Sequence, residues 1–193
     1  MKAAAMIALM LPSLCQAATL AGPFVNPSNG HSYTLLTSNT WTASEAEAIT
    51  LGGHLATIRN QSENNWLLST FQPFLTASLS SLLIGFTDPS QDGNFVWISG
   101  APVTFTNWGQ GEPNNLTSEI YTNLLLQDFN QIVAGQWNNI NNGSASLPQH
   151  GVVEVVPEPA VGALALMGLV TVLPIRRRRV WGEQRRPREG YHL

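Results

Sequence analysis

The first strand-like stretch of polar and apolar residues falls at 30–36, Gly-His-Ser-Tyr-Thr-Leu-Leu. Its β-rich content predicts a strand. Thr42 then opens a helix, with Glu45 three residues on at the spacing of a capping box. Ala46, Ile49 and Leu51 give this helix an apolar side, and Gly52-Gly53 end it. Residues 54–58, His-Leu-Ala-Thr-Ile, read as a short extended piece. Asn60 with Glu63 caps a second helix that carries Trp66, Leu67 and Phe71, and Pro73 stops it. Beyond Pro73 the helical period is lost. Leu82-Leu83-Ile84-Gly85-Phe86 predicts a buried strand, Asp92-Gly93-Asn94 a turn, and Phe95-Val96-Trp97-Ile98 the returning strand. A loop region rich in Gly, Asn and Pro runs from Thr106 to about Glu119. Strands at 120–126 and 151–156 bracket a further loop. The pattern predicts an α+β fold in which two early helices precede small antiparallel sheets with long loops. The chain has no internal repeats.

Composition changes this picture in one respect. Only 11% of the residues are charged, and between Lys2 and Arg176 the single base Arg59 faces ten acids. Phosphate binding needs clustered Lys or Arg, so nucleic acid is excluded as an expected partner. A cation is favoured.

Both ends of the chain predict sorting. Lys2, the apolar stretch from Ala3 to Leu14 and the small residues at Ala17-Ala18 read as a secretory signal over residues 1–17. Cys15 is the only cysteine, so the exported remainder has no intramolecular disulfide. Residues 18–25 read as a linker and 26–155 as the main domain. Val156-Pro157-Glu158-Pro159 precedes an apolar run, Ala160 to Ile175, and then four arginines, Arg176 to Arg179. As a helix that run spans about 24 Å against a bilayer core of roughly 30 Å, a short membrane segment. The arginines place the main domain outside, with 180–193 as a cytoplasmic tail. Residues 156–179 resemble a PEP-CTERM sorting signal. That resemblance implies a bacterial protein, transient anchoring by the C-terminal helix, cutting by an exosortase-type partner and release to the cell surface or exopolysaccharide. The chain departs from the pattern by continuing from Trp181 to Leu193.

The candidate chemistry lies in the loops. Gly109-Gln110-Gly111-Glu112-Pro113-Asn114-Asn115 sets a carboxylate and two amides beside a proline and two glycines. Glu and Asn are costly to bury unpaired, but a hard cation wants several oxygens converging from a bent backbone. Glu119 and then Trp137-Asn138-Asn139 supply further oxygens, and the three pieces together read as one calcium site. His31 and His54 lack partners at metal spacing. Asp88 to Gly93 opens like an EF-hand loop, but Ser99 stands where that loop needs its Glu. Hydrolase motifs such as Gly-x-Ser-x-Gly and His-Glu-x-x-His are missing, so no enzyme is expected.

The order of these motifs resembles a C-type lectin-like domain from about Asn26 to Val155. It runs two helices, Gly-Gly-His-Leu-Ala-Thr-Ile, Leu-Ile-Gly-Phe-Thr-Asp, Phe-Val-Trp-Ile-Ser-Gly, Trp-Gly-Gln-Gly-Glu-Pro-Asn-Asn and Gln-Trp-Asn-Asn. The resemblance implies a principal Ca2+ site of Glu112, Asn114, Glu119, Asn138 and Asn139, with Pro113 in cis. It implies carbohydrate binding through Glu112, Asn114, Glu119 and Asn138. The Glu-Pro-Asn order matches the version that takes mannose-, glucose- or fucose-type hydroxyl pairs. An auxiliary metal set of Asp88, Asp92 and Asn115 with Glu119 is implied as well, although Ile120 replaces an acid there. Asn139 stands where the family has Asp. Ala48, Tyr121, Asn142 and Val153 stand near the family's cysteines, with Ala48 against Val153 as the expected apolar substitute. The alternative function on the same fold is an adhesion or structural module that binds protein.

Overall fold

The computed structural model describes residues 18–143 and 148–158. The secretory-type segment 1–17 and the apolar run with its arginines lie outside them. Among the described residues no helix is long and apolar enough to cross a membrane.

Among the described residues, eight strands and two helices form the fold: β1 (Thr19–Val25), β2 (Ser32–Ser38), α1 (Trp41–Thr50), β3 (His54–Leu55), α2 (Gln61–Phe71), β4 (Ser81–Thr87), β5 (Val96–Trp97), β6 (Tyr121–Leu125), β7 (Trp137–Ile140) and β8 (Gln149–Val155). A 3-10 turn at Gln72–Phe74 follows α2, with Pro73 inside it. The strands make one sheet in the order β1-β2-β8-β4-β6-β7, with β3 added to β8 and β5 to β4. β4 runs parallel to β8, and every other pairing is antiparallel. The sheet is therefore mixed and continuous, rather than several small antiparallel ones.

β4 lies between β8 and β6, and all seven of its residues are buried. A strand covered on both faces reads as a continuous apolar run, and Ser81-Leu-Leu-Ile-Gly-Phe-Thr87 does so. Gly85 is required there, because a Cβ would collide with the Leu55 carbonyl. The main core joins Phe71 and Leu67 of α2 to Leu35, Leu82, Ile84, Phe86, Trp97, Leu124 and Trp137.

Three local expectations are corrected. The stretch 18–25, expected as a linker, contains β1, which pairs with β2 through irregular register. Helix α1 is capped by Thr40, whose hydroxyl accepts from Ala43 N–H at 3.2 Å, and not by Thr42. Trp41 thus enters the helix and turns inward, donating from Nε1 to the Ile84 carbonyl at 2.8 Å. The buried face of α1 is Trp41, Ser44, Glu45 and Ala48, while Ile49 is 59% exposed. Glu45 is drawn away from capping by β3, accepting from Leu55 N–H at 2.9 Å and pairing with His54 Nδ1 at 2.6 Å. Helix α2 starts as expected, with Asn60 accepting from Glu63 N–H at 2.9 Å. Gly52 ends α1 with a positive φ of 83°.

The positions near the family's cysteines are filled by other contacts. Ala48 packs with Leu36 and Val153, all fully buried, as expected. Tyr121 stacks on Trp41 with ring centroids 4.5 Å apart. Asn142 accepts from Thr42 N–H at 3.0 Å and donates to its hydroxyl at 2.9 Å.

Candidate functional site

The loops are seated on an aromatic base. Phe86, Trp97, Trp108 and Trp137 lie ring against ring, with centroids 4.4–5.9 Å apart. Such rings supply large buried area with fixed geometry. Trp137 opens β7, and its Nε1 donates to the buried Asn64 of α2 at 2.7 Å. Its backbone accepts from Gly109 N–H and donates to the Asn107 carbonyl, each at 2.8 Å. Trp108 belongs to this core and is not a surface platform.

From that anchor the chain bends. Glu112 N–H bonds the Gly109 carbonyl at 3.1 Å, and Gly111 has φ 86°. The Glu112–Pro113 peptide bond is cis, as the resemblance implies. Asn115 sits in the left-handed region at φ 44°, and its carbonyl accepts from Ser118 and Glu119 N–H. The loop borders a cavity of about 530 Å³, lined by Glu112, Asn114, Asn115, Glu119 and Asn138 together with Phe129 and Ile132. Four of the five expected principal ligands, Glu112, Asn114, Glu119 and Asn138, line this one cavity.

Two of their oxygens lack partners. Glu112 Oε2 and Asn114 Oδ1 are buried and accept no hydrogen bond, while Asn114 Nδ2 donates to Glu112 Oε1 at 2.8 Å. Buried acceptors without partners cost free energy and ask for a donor or a cation. Burial pushes the Glu112 carboxyl above its ordinary range. The Glu119 charge adds to this, and the Asn114 side-chain amide opposes it. No three His, Cys, Asp or Glu side chains converge among the described residues, so the donor set is two carboxylates with amides. Carboxylate and amide oxygens on a bent loop fit a calcium ion.

Asn139 is placed differently from expectation. It is fully buried, does not line the cavity, and accepts from Asn114 N–H at 2.9 Å. Its Nδ2 donates to the Asn114 and Glu119 carbonyls. In this arrangement the side chain bonds the loop backbone at two residues. Of the auxiliary set, Asn115 lines the cavity, while Asp88 and Asp92 lie in the 88–94 turn. Asp88 is buried and accepts from Asp92 and Gly93 N–H, and Asp92 accepts from Asn94 N–H at 3.0 Å. Both carboxylates close the 88–94 turn. Asn115 stays at the cavity and donates to Glu119 Oε2 at 3.3 Å. The cavity wall at Phe129 and Ile132 was not anticipated. Its one sequence signal is the polar Gln127-Asp128 followed by Phe129-Asn130, a turn inside an apolar stretch.

A mixed sheet with two helices, a cis Glu-Pro bond in a long loop and an oxygen-lined cavity above an aromatic base define the C-type lectin fold. The chain belongs to the C-type lectin domain family, whose Lectin C-type domain it matches over residues 37–146. It is 42% identical over 67 residues to the alpha-N-acetylgalactosamine-specific lectin of Patiria pectinifera, covering 35% of this chain and 40% of that one. It is 32% identical over 96 residues to the mannose-binding protein of Gallus gallus, covering 50% of this chain and 33% of that one. The matches thus span well under half the length of these relatives. Among solved structures, the C-type lectin CEL-I of Cucumaria echinata superposes with a TM-score of 0.58 at 20% identity, over 66% of this chain and 91% of that one. A calcium-independent type II antifreeze protein superposes at 0.55 and 20% identity, over 71% and 95%.

Proposed function

We propose that the chain is a calcium-dependent carbohydrate-binding module and not an enzyme. The observation that carries this reading is the pair of buried, unpartnered oxygens, Glu112 Oε2 and Asn114 Oδ1, on a cavity that also holds Glu119 and Asn138. These four residues would hold the ion. Bound calcium would supply open coordination positions for two neighbouring hydroxyls of one sugar ring. The chain's own groups do the rest. The Glu112 and Glu119 carboxylates accept hydrogen bonds from the hydroxyls, and the Asn114 and Asn138 amides donate to hydroxyl oxygens. The Glu112-Pro113-Asn114 order supports mannose-, glucose- or fucose-type pairs. Of the two relatives, one is named for mannose and the other for N-acetylgalactosamine, so family membership alone does not choose.

Residues 1–17 and 156–179 support export and PEP-CTERM-type anchoring in a bacterial envelope, with an exosortase as processing partner. A glycan array in calcium and in EGTA tests the binding reading. Signal that needs calcium and disappears in Asn114→Ala is expected. Absence of glycan signal in both conditions would favour the protein-binding module.

A further inference from the structure

We propose that Asn139 holds the Glu112–Glu119 loop in its binding shape without any metal, so that the loop is ordered before a cation arrives. Its use in ligand binding rests on the preceding reading, but the strap itself does not. Asn139 lies in β7, two residues after Trp137, and is fully buried. Its side-chain amide faces Asn114 as a neighbouring strand would, accepting from the Asn114 N–H and donating to the Asn114 carbonyl. The same Nδ2 donates to the Glu119 carbonyl at 2.7 Å. One side chain therefore ties two points of the loop, five residues apart, to the sheet.

The chemistry is specific to an amide. Asn offers two N–H donors and an acceptor oxygen, and all three functions are in use here. A carboxylate of the same shape has no donor. It would face two carbonyl oxygens with like partial charge in a buried place, an arrangement that only a cation or a proton relieves. The amide at 139 and a metal ion are thus alternative ways to hold the same two carbonyls. This chain has the amide.

Hydrogen exchange of residues 110–120 in the full chain, in EDTA and in millimolar calcium, reads the strap directly. The wild-type loop is expected to be protected in EDTA and to change by less than about threefold with calcium. Asn139→Ala is expected to exchange at least about tenfold faster in EDTA, since hydrogen bonds to two backbone positions are lost at once. Asn139→Asp is expected to lose protection in EDTA and recover it in calcium. The amides of β4 serve as the fold control. A wild-type loop that exchanges freely in EDTA and is protected only by calcium overturns the proposal. So does Asn139→Ala exchanging at the wild-type rate in EDTA. If both variants lose β4 protection, the wild-type comparison decides alone. Absence of calcium binding in a separate titration would remove the preceding reading and leave the EDTA arm able to support or refute the strap.

Discussion

Two acidic centres of this domain differ in how completely their oxygens are used. Glu154 on β8 is buried, and its Oε1 meets His31 Nδ1 at 2.6 Å, Arg59 at 2.8 Å and the Tyr33 hydroxyl at 3.0 Å. Its Oε2 accepts from Thr57 N–H at 2.9 Å. Glu112 has one oxygen bonded by Asn114 and the other with no partner. A buried carboxylate with every lone pair served joins strands and rigidifies the fold. One left half-served beside a cavity is poised for something from outside. Two centres with the same functional group thus separate into architecture and binding through hydrogen-bond accounting alone.

The comparison is broken most strongly by exchanging the roles. Glu154→Gln removes the closer of the two carboxylates that Arg59 meets and leaves only the Glu63 contact at 3.8 Å. It is expected to cost about 3 kcal/mol in chemical denaturation, at the low end because Arg59 keeps about a third of its side chain in solvent. Calcium affinity should then change by less than about threefold, since the site is supported separately by Trp137 and Asn64. Glu112→Gln is expected to do the opposite. Calcium affinity by calorimetry should fall by about 100-fold, roughly 2.7 kcal/mol, with the unfolding midpoint in EDTA unchanged or slightly higher. A large stability loss in this variant would place Glu112 with the architecture.

Acid should separate the centres in order. Burial pushes the Glu154 carboxyl up, but Arg59, the Thr57 N–H and His31 outweigh it and hold the group below its ordinary range. Its stability contribution is present above the unfolded carboxylate pKa and is lost only as pH falls through that depressed value. The Glu112 carboxyl is raised, so protons compete with calcium there at a higher pH. On acidification calcium binding should therefore fail before the fold does, and coincident midpoints by calorimetry and circular dichroism would contradict this ordering. The smallest expected effect is at Asn142→Ala, about 1 kcal/mol, from loss of its two bonds to Thr42.

Much of this was legible in the chain. The caps at Asn60 and Gly52, the buried run at 82–86 and the Glu-Pro-Asn loop are short-range signals, and each lies where it was expected. β1 was not legible, because Gly22 and Pro23 look like linker residues and its pairing with Ser32–Leu36 is irregular in register. Nor was β7, since Trp-Asn-Asn-Ile reads as loop until β6 provides its partner. The burial of α1 was misjudged because Thr40, two residues before the apparent cap, rotates Trp41 into the core. The turn bonds of Asp88 and Asp92 were not legible, because composition does not show which backbone N–H groups a carboxylate accepts from.

The central claim is that Glu112 and Asn114 present oxygens to a cation. A crystal structure of the protein grown in millimolar calcium tests it most directly. One ion is expected at about 2.3–2.6 Å from Glu112 Oε2 and Asn114 Oδ1, with Glu119 and Asn138 completing the protein ligands. A structure with no ion there, and with both oxygens hydrogen-bonded within the protein, would contradict it.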